Sequence, residues 1–440
     1  MKRIIKLSLF FIFLTQIAFA QKSDLLKYLE TIPGLTIIQK ENGKNFKEFY
    51  QLELTQLLDH KNPHSKTFKQ RIFLSLKDKS KPVVLVTEGY NANRAARKDY
   101  IEEITQILDA NQVFVEHRYF GTSFPDSTDY DYLTIEQAAN DHHRVVEILK
   151  PYFTGKWINT GISKGGQTTM YHRYYFPNDV DASVPYVGPL MFSRADPRFY
   201  YYFDTVGTSE CRASIHNYQE LLLKKKKELL PKFIEGNKKA GYTYREGYEF
   251  GYEYMVLEYS FSFWQWGADC NSIPNESVGM DSVYRHFEKI VPYGYLSEPK
   301  EREDYTFMVQ AMKDFGYYGY DITEFEGLLD VVKEHNYDFV LPENTKITYH
   351  PELMQKVKNY LQKEGDHFLY IYGGFDPYAS QQVELTGECD AVKYVLPGGS
   401  HSTRIRNFPK ETREEMFKKL EEWLDIDITY EFPERQTIKR

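Results

Sequence analysis

The segment Asn159-Thr160-Gly161-Ile162-Ser163-Lys164-Gly165-Gly166-Gln167 places glycines two before and two after a serine. Apolar residues precede it and a helix-like run follows. This is the pattern of a sharp strand-to-helix turn that holds a serine hydroxyl clear of the backbone. Both flanks need glycine because a Cβ there would clash with the neighbouring strand or helix. A bare Gly-x-Ser-x-Gly also arises by chance in glycine-rich loops, so the rest of the chain decides its meaning.

The surrounding pattern supplies a strand before the turn and a helix after it. Phe49 to Leu54 partly alternates, and Thr67 to Leu76 follows as a second strand, with the turn-like Leu58-Asp59-His60-Lys61-Asn62-Pro63 between them. Val83 to Thr87 and Val113 to Glu116 are short, apolar and β-branched, as in strands buried on both faces of a parallel sheet. Helical spacing from Arg97 to Leu108 joins them into a βαβ unit. A longer helix is expected from Ile135 to about Tyr152, with Thr134 and Gln137 forming a capping box. Trp157 to Thr160 then reads as a strand, Gln167 to Tyr175 as a helix, and Ala182 to Val187 as a further strand.

Strand patterning stops at about Phe192 and resumes after about Pro351. The intervening segment reads as helices rich in Tyr, Phe, Lys and Glu. Phe250, Tyr254, Leu257, Phe261 and Trp264 make one apolar stripe at helical spacing, most simply for helix packing. Lys224 to Lys227 reads as a solvated helix face. Strands return at His367 to Tyr372 and Val392 to Leu396, followed by a helix from Glu411 to Leu424 and a charged, peripheral tail. The expected organisation is an α/β domain over 21–191 and 352–440, with a helical cap inserted over 192–351.

At 440 residues the chain suits one large domain with an insertion, or two domains, and its net charge of −8 argues against a nucleic-acid partner. Lys2 and Arg3, the apolar run Leu7 to Leu14 and the small-x-small Ala18-Phe19-Ala20 mark residues 1–20 as a secretory signal peptide. The expectation is an exported protein, periplasmic or secreted, with no membrane span in its mature part. Export permits disulfides. Three cysteines allow one bridge, and Cys211 with Cys270, both in the insertion, is the expected pair. No Cys or His spacing points to a metal.

A serine hydroxyl needs a base within hydrogen-bond reach and an acid to orient that base. In α/β-hydrolases these follow in the order Ser, Asp or Glu, then His, on loops after later strands. Asp376 in Gly373-Gly374-Phe375-Asp376-Pro377 directly follows one strand, and His401 in Pro397-Gly398-Gly399-Ser400-His401 directly follows the next. The catalytic candidates are therefore Ser163, Asp376 and His401. For the oxyanion hole they leave the backbone N–H of Lys164 and, from the Thr87-Glu88-Gly89-Tyr90-Asn91 loop, that of Tyr90. The Lys164 side chain has no role in this reading.

Gly161-Ile162-Ser163-Lys164-Gly165-Gly166, Glu116-His117-Arg118-Tyr119-Phe120-Gly121-x-Ser123, Thr87-Glu88-Gly89-Tyr90, Leu58-Asp59-His60 and Phe68-Lys69-Gln70-Arg71 together resemble the secreted tripeptidyl aminopeptidases of actinomycetes. Those are distant cousins of Pro-X carboxypeptidase and dipeptidyl peptidase II. The resemblance covers most of the α/β part in matching order and is weak across the insertion. It implies an α/β-hydrolase fold with a helical cap and a serine exopeptidase that often cuts after proline. It places the triad on Ser163, Asp376 and His401, and it implies no cofactor.

Which chain end is attacked depends on the pocket. An aminopeptidase needs a carboxylate for the substrate's ammonium, and Glu88 and Glu116 both end strands on the relevant edge. Each also has a structural reading: Glu116 pairing with Arg118, and Glu88 shaping its loop. A carboxypeptidase needs a cationic donor instead, for which Arg118 and Arg404 are available. An esterase or lipase on the same triad and a non-catalytic binding protein are the remaining alternatives.

Overall fold

A computed structural model describes residues 22–126, 129–298, 302–343 and 347–433. The signal-peptide reading of residues 1–20 lies outside them. The described chain is built on one nine-stranded sheet in the order β1-β2-β3-β5-β4-β6-β7-β8-β9. The strands are β1 (Leu35–Gln39), β2 (Glu48–Leu57), β3 (Thr67–Leu76), β4 (Val83–Thr87), β5 (Asn111–Val115), β6 (Trp157–Ile162), β7 (Ala182–Tyr186), β8 (Phe368–Gly373) and β9 (Ala391–Leu396). The first three form an antiparallel meander, and β3 pairs antiparallel with β5. From β5 to β9 every pairing is parallel. With β1 set aside, this order and its single reversed strand are those of the α/β-hydrolase fold. Every residue of β4, β5 and β7 is buried, the polar Asn111, Gln112 and Ser183 included, whereas β2 alternates and has one covered face.

The helices are α1 (Asp24–Leu29), α2 (Glu103–Ile107), α3 (Ile135–Leu149), α4 (Lys164–Tyr175), α5 (Arg198–Thr205), α6 (Ser209–Lys224), α7 (Lys226–Ala240), α8 (Tyr248–Trp266), α9 (Met280–Ile290), α10 (Arg302–Gln310), α11 (Pro351–Lys363) and α12 (Lys410–Leu424). The helix expected from Arg97 shrinks to α2, preceded by a 3-10 turn over Asn93–Ala96. The capping box at α3 is half-formed. The Thr134 hydroxyl accepts from the Gln137 N–H at 3.2 Å, but the Gln137 amide turns away. It donates to Asp59 Oδ1 and accepts from the His60 N–H, both at 2.8 Å. Tertiary partners thus outbid the local cap. The tail is less peripheral than its charge suggests, since Ile426, Ile428, Tyr430 and Phe432 pack on the core beneath α12.

One buried ion pair ties the meander to the parallel sheet. The Arg118 guanidinium, fully buried just after β5, donates to Asp141 Oδ1 and Oδ2 at 2.8 and 2.7 Å. Its remaining N–H groups reach the carbonyls of Leu57, Leu58 and Tyr132. His60 Nε2 closes the knot on Asp141 Oδ1 at 2.7 Å. The expected Glu116–Arg118 pair does not form. Glu116 pairs with Arg71 of β3, which lies opposite it across the sheet, where the Glu116 N–H donates to the Arg71 carbonyl at 3.1 Å.

Between β7 and β8 the described residues form helices and turns without a strand. Helices α5 to α10 build the cap, and α11 packs on α4. Helix α8 is apolar nearly all round and buried along most of its length, so its stripe is the centre of the cap. Cys211 on α6 and Cys270 beyond α8 form a disulfide, and Cys389 is a free thiol. The lysine run is not uniformly solvated. Helix α6 ends at Lys224 and α7 begins at Lys226, which turns inward to pair with Glu253 at 2.6 Å and Glu249 at 2.9 Å. No helix among the described residues is long and apolar enough to cross a membrane.

Replacing Asp141 by Asn leaves Arg118 charged and unpaired in the interior, and unfolding measurements should show a loss of about 3–5 kcal/mol. Burial pushes the Asp141 carboxyl up, but Arg118 and His60 outweigh it and hold it below its ordinary value. Its contribution is then complete above the unfolded value and disappears as pH falls through the lower folded one. The gap between wild type and D141N is expected to narrow in acid.

Candidate active site

The parallel strands all end on one edge, and the loops that leave them gather the candidates there. After β6 the chain turns into α4 through Ser163, whose φ of +58° lies in the left-handed region that side chains avoid. The Ser163 N–H donates to the Tyr186 carbonyl at the end of β7, which pins the turn to the sheet. A Cβ at Gly161 would lie 2.2 Å from the Gly165 carbonyl oxygen, so strand and helix meet with backbone alone.

Asp376 and His401 are brought together by backbone bonding between their loops. The Gly374 N–H donates to the Leu396 carbonyl at 2.8 Å and the Phe375 N–H to Gly399 at 2.7 Å. Asp376 Oδ2 then lies 2.6 Å from His401 Nδ1, with the carboxylate fully buried. The second oxygen accepts from the Tyr378 N–H at 3.2 Å, where Asp376 caps the 3-10 turn Pro377–Gln381. This leaves Nε2 as the free nitrogen of the imidazole. The cap holds the far side of the same loop. The His401 N–H donates to the carbonyl of Gln265 at the end of α8, and the Trp266 and Tyr378 rings sit 5.8 and 5.3 Å from the imidazole.

The loop after β4 presses on the start of α4. A Cβ at Gly89 would stand 2.6 Å from the Gly165 nitrogen, so glycine is required for this approach. Among the described residues neither the Tyr90 nor the Lys164 N–H has a hydrogen-bond partner. The Lys164 side chain, set aside in the sequence reading, is buried here. Its Nζ donates to the Gly89 carbonyl at 2.6 Å and lies 5.0 to 5.9 Å from the rings of Phe120, Tyr90 and Phe315. Burial pulls its pKa well below the ordinary lysine value, against the pull of Asp314. The Gly89 carbonyl and the Tyr90 N–H belong to one planar trans peptide and point in opposite directions. By holding the carbonyl, Lys164 fixes the direction of that N–H. A bare Gly-x-Ser-x-Gly match gives no hint of this, because the partner is a backbone atom 75 residues away.

The two glutamates have different fates. Glu116 is fully buried, and both its oxygens are taken by protein donors: Arg71 and the Ala92 N–H on one, the N–H and hydroxyl groups of Thr122 and Ser123 on the other. No oxygen remains for a ligand. Glu88 is nearly buried and accepts from Arg94 Nε at 2.8 Å. Burial pushes its carboxyl up to about 7, with Arg94 opposing. Arg118 is committed to Asp141, and Arg404 donates to the carbonyls of His401 and Thr403.

A match to the PS-10 peptidase S37 family runs from residue 18 to residue 428. The chain belongs to that family. It is a serine peptidase of the hydrolase class. Over 416 residues this S37 peptidase is 29% identical to the prolyl tri/tetrapeptidyl aminopeptidase of Streptomyces mobaraensis, covering 92% of this chain and 86% of that protein. A 141-residue stretch is 28% identical to the lysosomal Pro-X carboxypeptidase of Bos taurus, 28% of each chain. Among solved structures, the proline iminopeptidase of Mycobacterium smegmatis aligns at 12% identity with a TM-score of 0.39, over 84% of this chain and 98% of that one.

If Lys164 orients the Gly89–Tyr90 peptide, Lys164→Met should lower kcat about 10- to 100-fold with KM little changed, less than the about 10²–10³ seen when an oxyanion donor is lost outright. Steady-state kinetics beside a circular-dichroism check of folding measure this.

Proposed function

We propose that this S37 peptidase is an exported aminopeptidase that releases di- or tripeptides, often after proline, through an acyl-enzyme on Ser163. The observation that carries the mechanism is the 2.6 Å contact of buried Asp376 with His401 Nδ1, on the sheet edge where the strained Ser163 turn emerges. Ser163 Oγ attacks the scissile carbonyl carbon while His401 Nε2 takes its proton, and Asp376 holds the ring and stabilises the imidazolium. The oxyanion is received by the N–H groups of Tyr90 and Lys164. As the tetrahedral species collapses, His401 returns the proton to the leaving amine and an ester remains on Ser163. Water, deprotonated by His401, then releases the acyl group and restores the serine.

The amino-terminal direction is favoured because the two candidate arginines for a substrate carboxylate, Arg118 and Arg404, are engaged with protein groups. The Streptomyces relative, named for cutting short peptides at proline, supports the same direction and the proline preference. Export rests on the charged, apolar and small-residue order of residues 1–20.

A fluorophosphonate probe should label Ser163 in the purified mature protein, and Ser163→Ala should lose both labelling and, by about a millionfold, kcat. Folded wild-type protein that takes no label would rule out serine chemistry at this site. Acetylating the N-terminus of a proline-containing peptide should sharply reduce cleavage, as read by mass spectrometry of the products. Equal cleavage of free and blocked peptides would exclude an aminopeptidase.

A further inference from the structure

Glu258 lies in the middle of α8, fully enclosed in the cap. Its carboxylate accepts from the hydroxyls of Ser262 at 2.5 Å, Tyr320 at 2.6 Å and Tyr318 at 3.0 Å. The Tyr295 hydroxyl joins the group through Tyr318. Three other buried carboxylates have a cation within reach: Glu116 has Arg71, Asp141 has Arg118, and Glu253 on the same helix has Lys226. Among the described residues no Lys, Arg or His lies within ion-pair distance of Glu258, although a buried carboxylate is costly without a counter-charge. Burial pushes its carboxyl up to about 7, against the pull of the surrounding hydroxyls.

This unpaired carboxylate is linked to the reacting end of the site in two ways. Tyr318, which bonds to Glu258, has its ring 6.0 Å from that of Tyr378, and Tyr378 lies 5.3 Å from the His401 imidazole. Helix α8 itself holds His401 through the Gln265 carbonyl. Gln265 is two turns beyond Glu258, a separation of about 10 Å along the axis. Tyrosine rings with their hydroxyls turned to a carboxylate also suit an ammonium ion, which gains from both the ring faces and the charge.

The geometry points to Glu258 and the tyrosines around it as the receptor for the free N-terminal ammonium of a peptide substrate. This deepens the proposed aminopeptidase reading and rests on it. The substrate supplies the cation that the fold withholds.

The test compares wild-type mature protein with Glu258→Gln on three probes: a tripeptidyl p-nitroanilide with a free N-terminus, its N-acetyl counterpart, and p-nitrophenyl acetate. The expected result for E258Q is a loss of about 10- to 100-fold in kcat/KM on the free-amine peptide. The acetylated peptide, the ester and fluorophosphonate labelling should be unchanged. Equal losses on the ester and the free-amine peptide would mean that Glu258 only supports the fold, and an unchanged free-amine rate would exclude it from substrate binding. Either result overturns the proposal while labelling of Ser163 keeps the serine reading intact. If wild-type Ser163 takes no label, the underlying reading fails and the proposal with it.

Discussion

The structure depends on burying one arginine completely. Arg118 sits where β5 leaves the sheet, and its guanidinium is satisfied by Asp141 of α3, by the carbonyls ending β2 and by Tyr132. A buried guanidinium tolerates little slack, because each N–H left unpaired is costly. The pair therefore fixes α3 against the antiparallel meander and sets the path of the segment after β5. Glu116, two residues earlier, gathers Arg71 with the loops at Ala92 and at Thr122–Ser123. The residue patterns Leu58-Asp59-His60 and Glu116-His117-Arg118 thus serve the scaffold that carries the reacting groups.

On this scaffold the cap is an integral part of the site. The end of α8 accepts the His401 N–H, Tyr202 of α5 donates to the Gly374 carbonyl, and Trp264 packs against Phe375 beside Asp376. Cap helices thus hold the loops that bear the acid and the base, while the sheet and the start of α4 hold the serine and the candidate oxyanion donors. Cap residues such as Glu258 and the tyrosines beside it stand in fixed relation to His401 because one helix carries both contacts.

Most of the sheet was legible from local pattern. The runs Thr67–Leu76 and Val83–Thr87 are strands over those same residues, since β-branched apolar runs bounded by turn residues have few other uses. Misreadings arose where distant partners decided the outcome. Gln137 leaves its cap for Asp59 and His60, Lys226 turns inward to Glu253, and Glu116 takes Arg71 in place of the neighbouring Arg118. β1 escapes local reading because a five-residue edge strand with only Leu35 and Ile37 packed on the core, both half-buried, has little apolar pattern.

The sequence by itself determined the architecture and the chemical type: a parallel sheet interrupted by a helical insertion, a serine on a glycine-flanked turn, and an acid and a histidine after the last two strands. These follow from short-range rules, because periodicity, glycine spacing and strand-end position are local properties of the chain. Only the tertiary structure decided which charges are spent inside the protein and which remain available. Ion pairing and burial depend on groups brought together from far along the chain, so Glu116 is consumed, Lys164 grips the Gly89 carbonyl, and Glu258 is left without a cation. Local pattern could offer Glu88 and Glu116 as carboxylates for a substrate's ammonium, but it gave no sign of an acid buried among tyrosines in the cap.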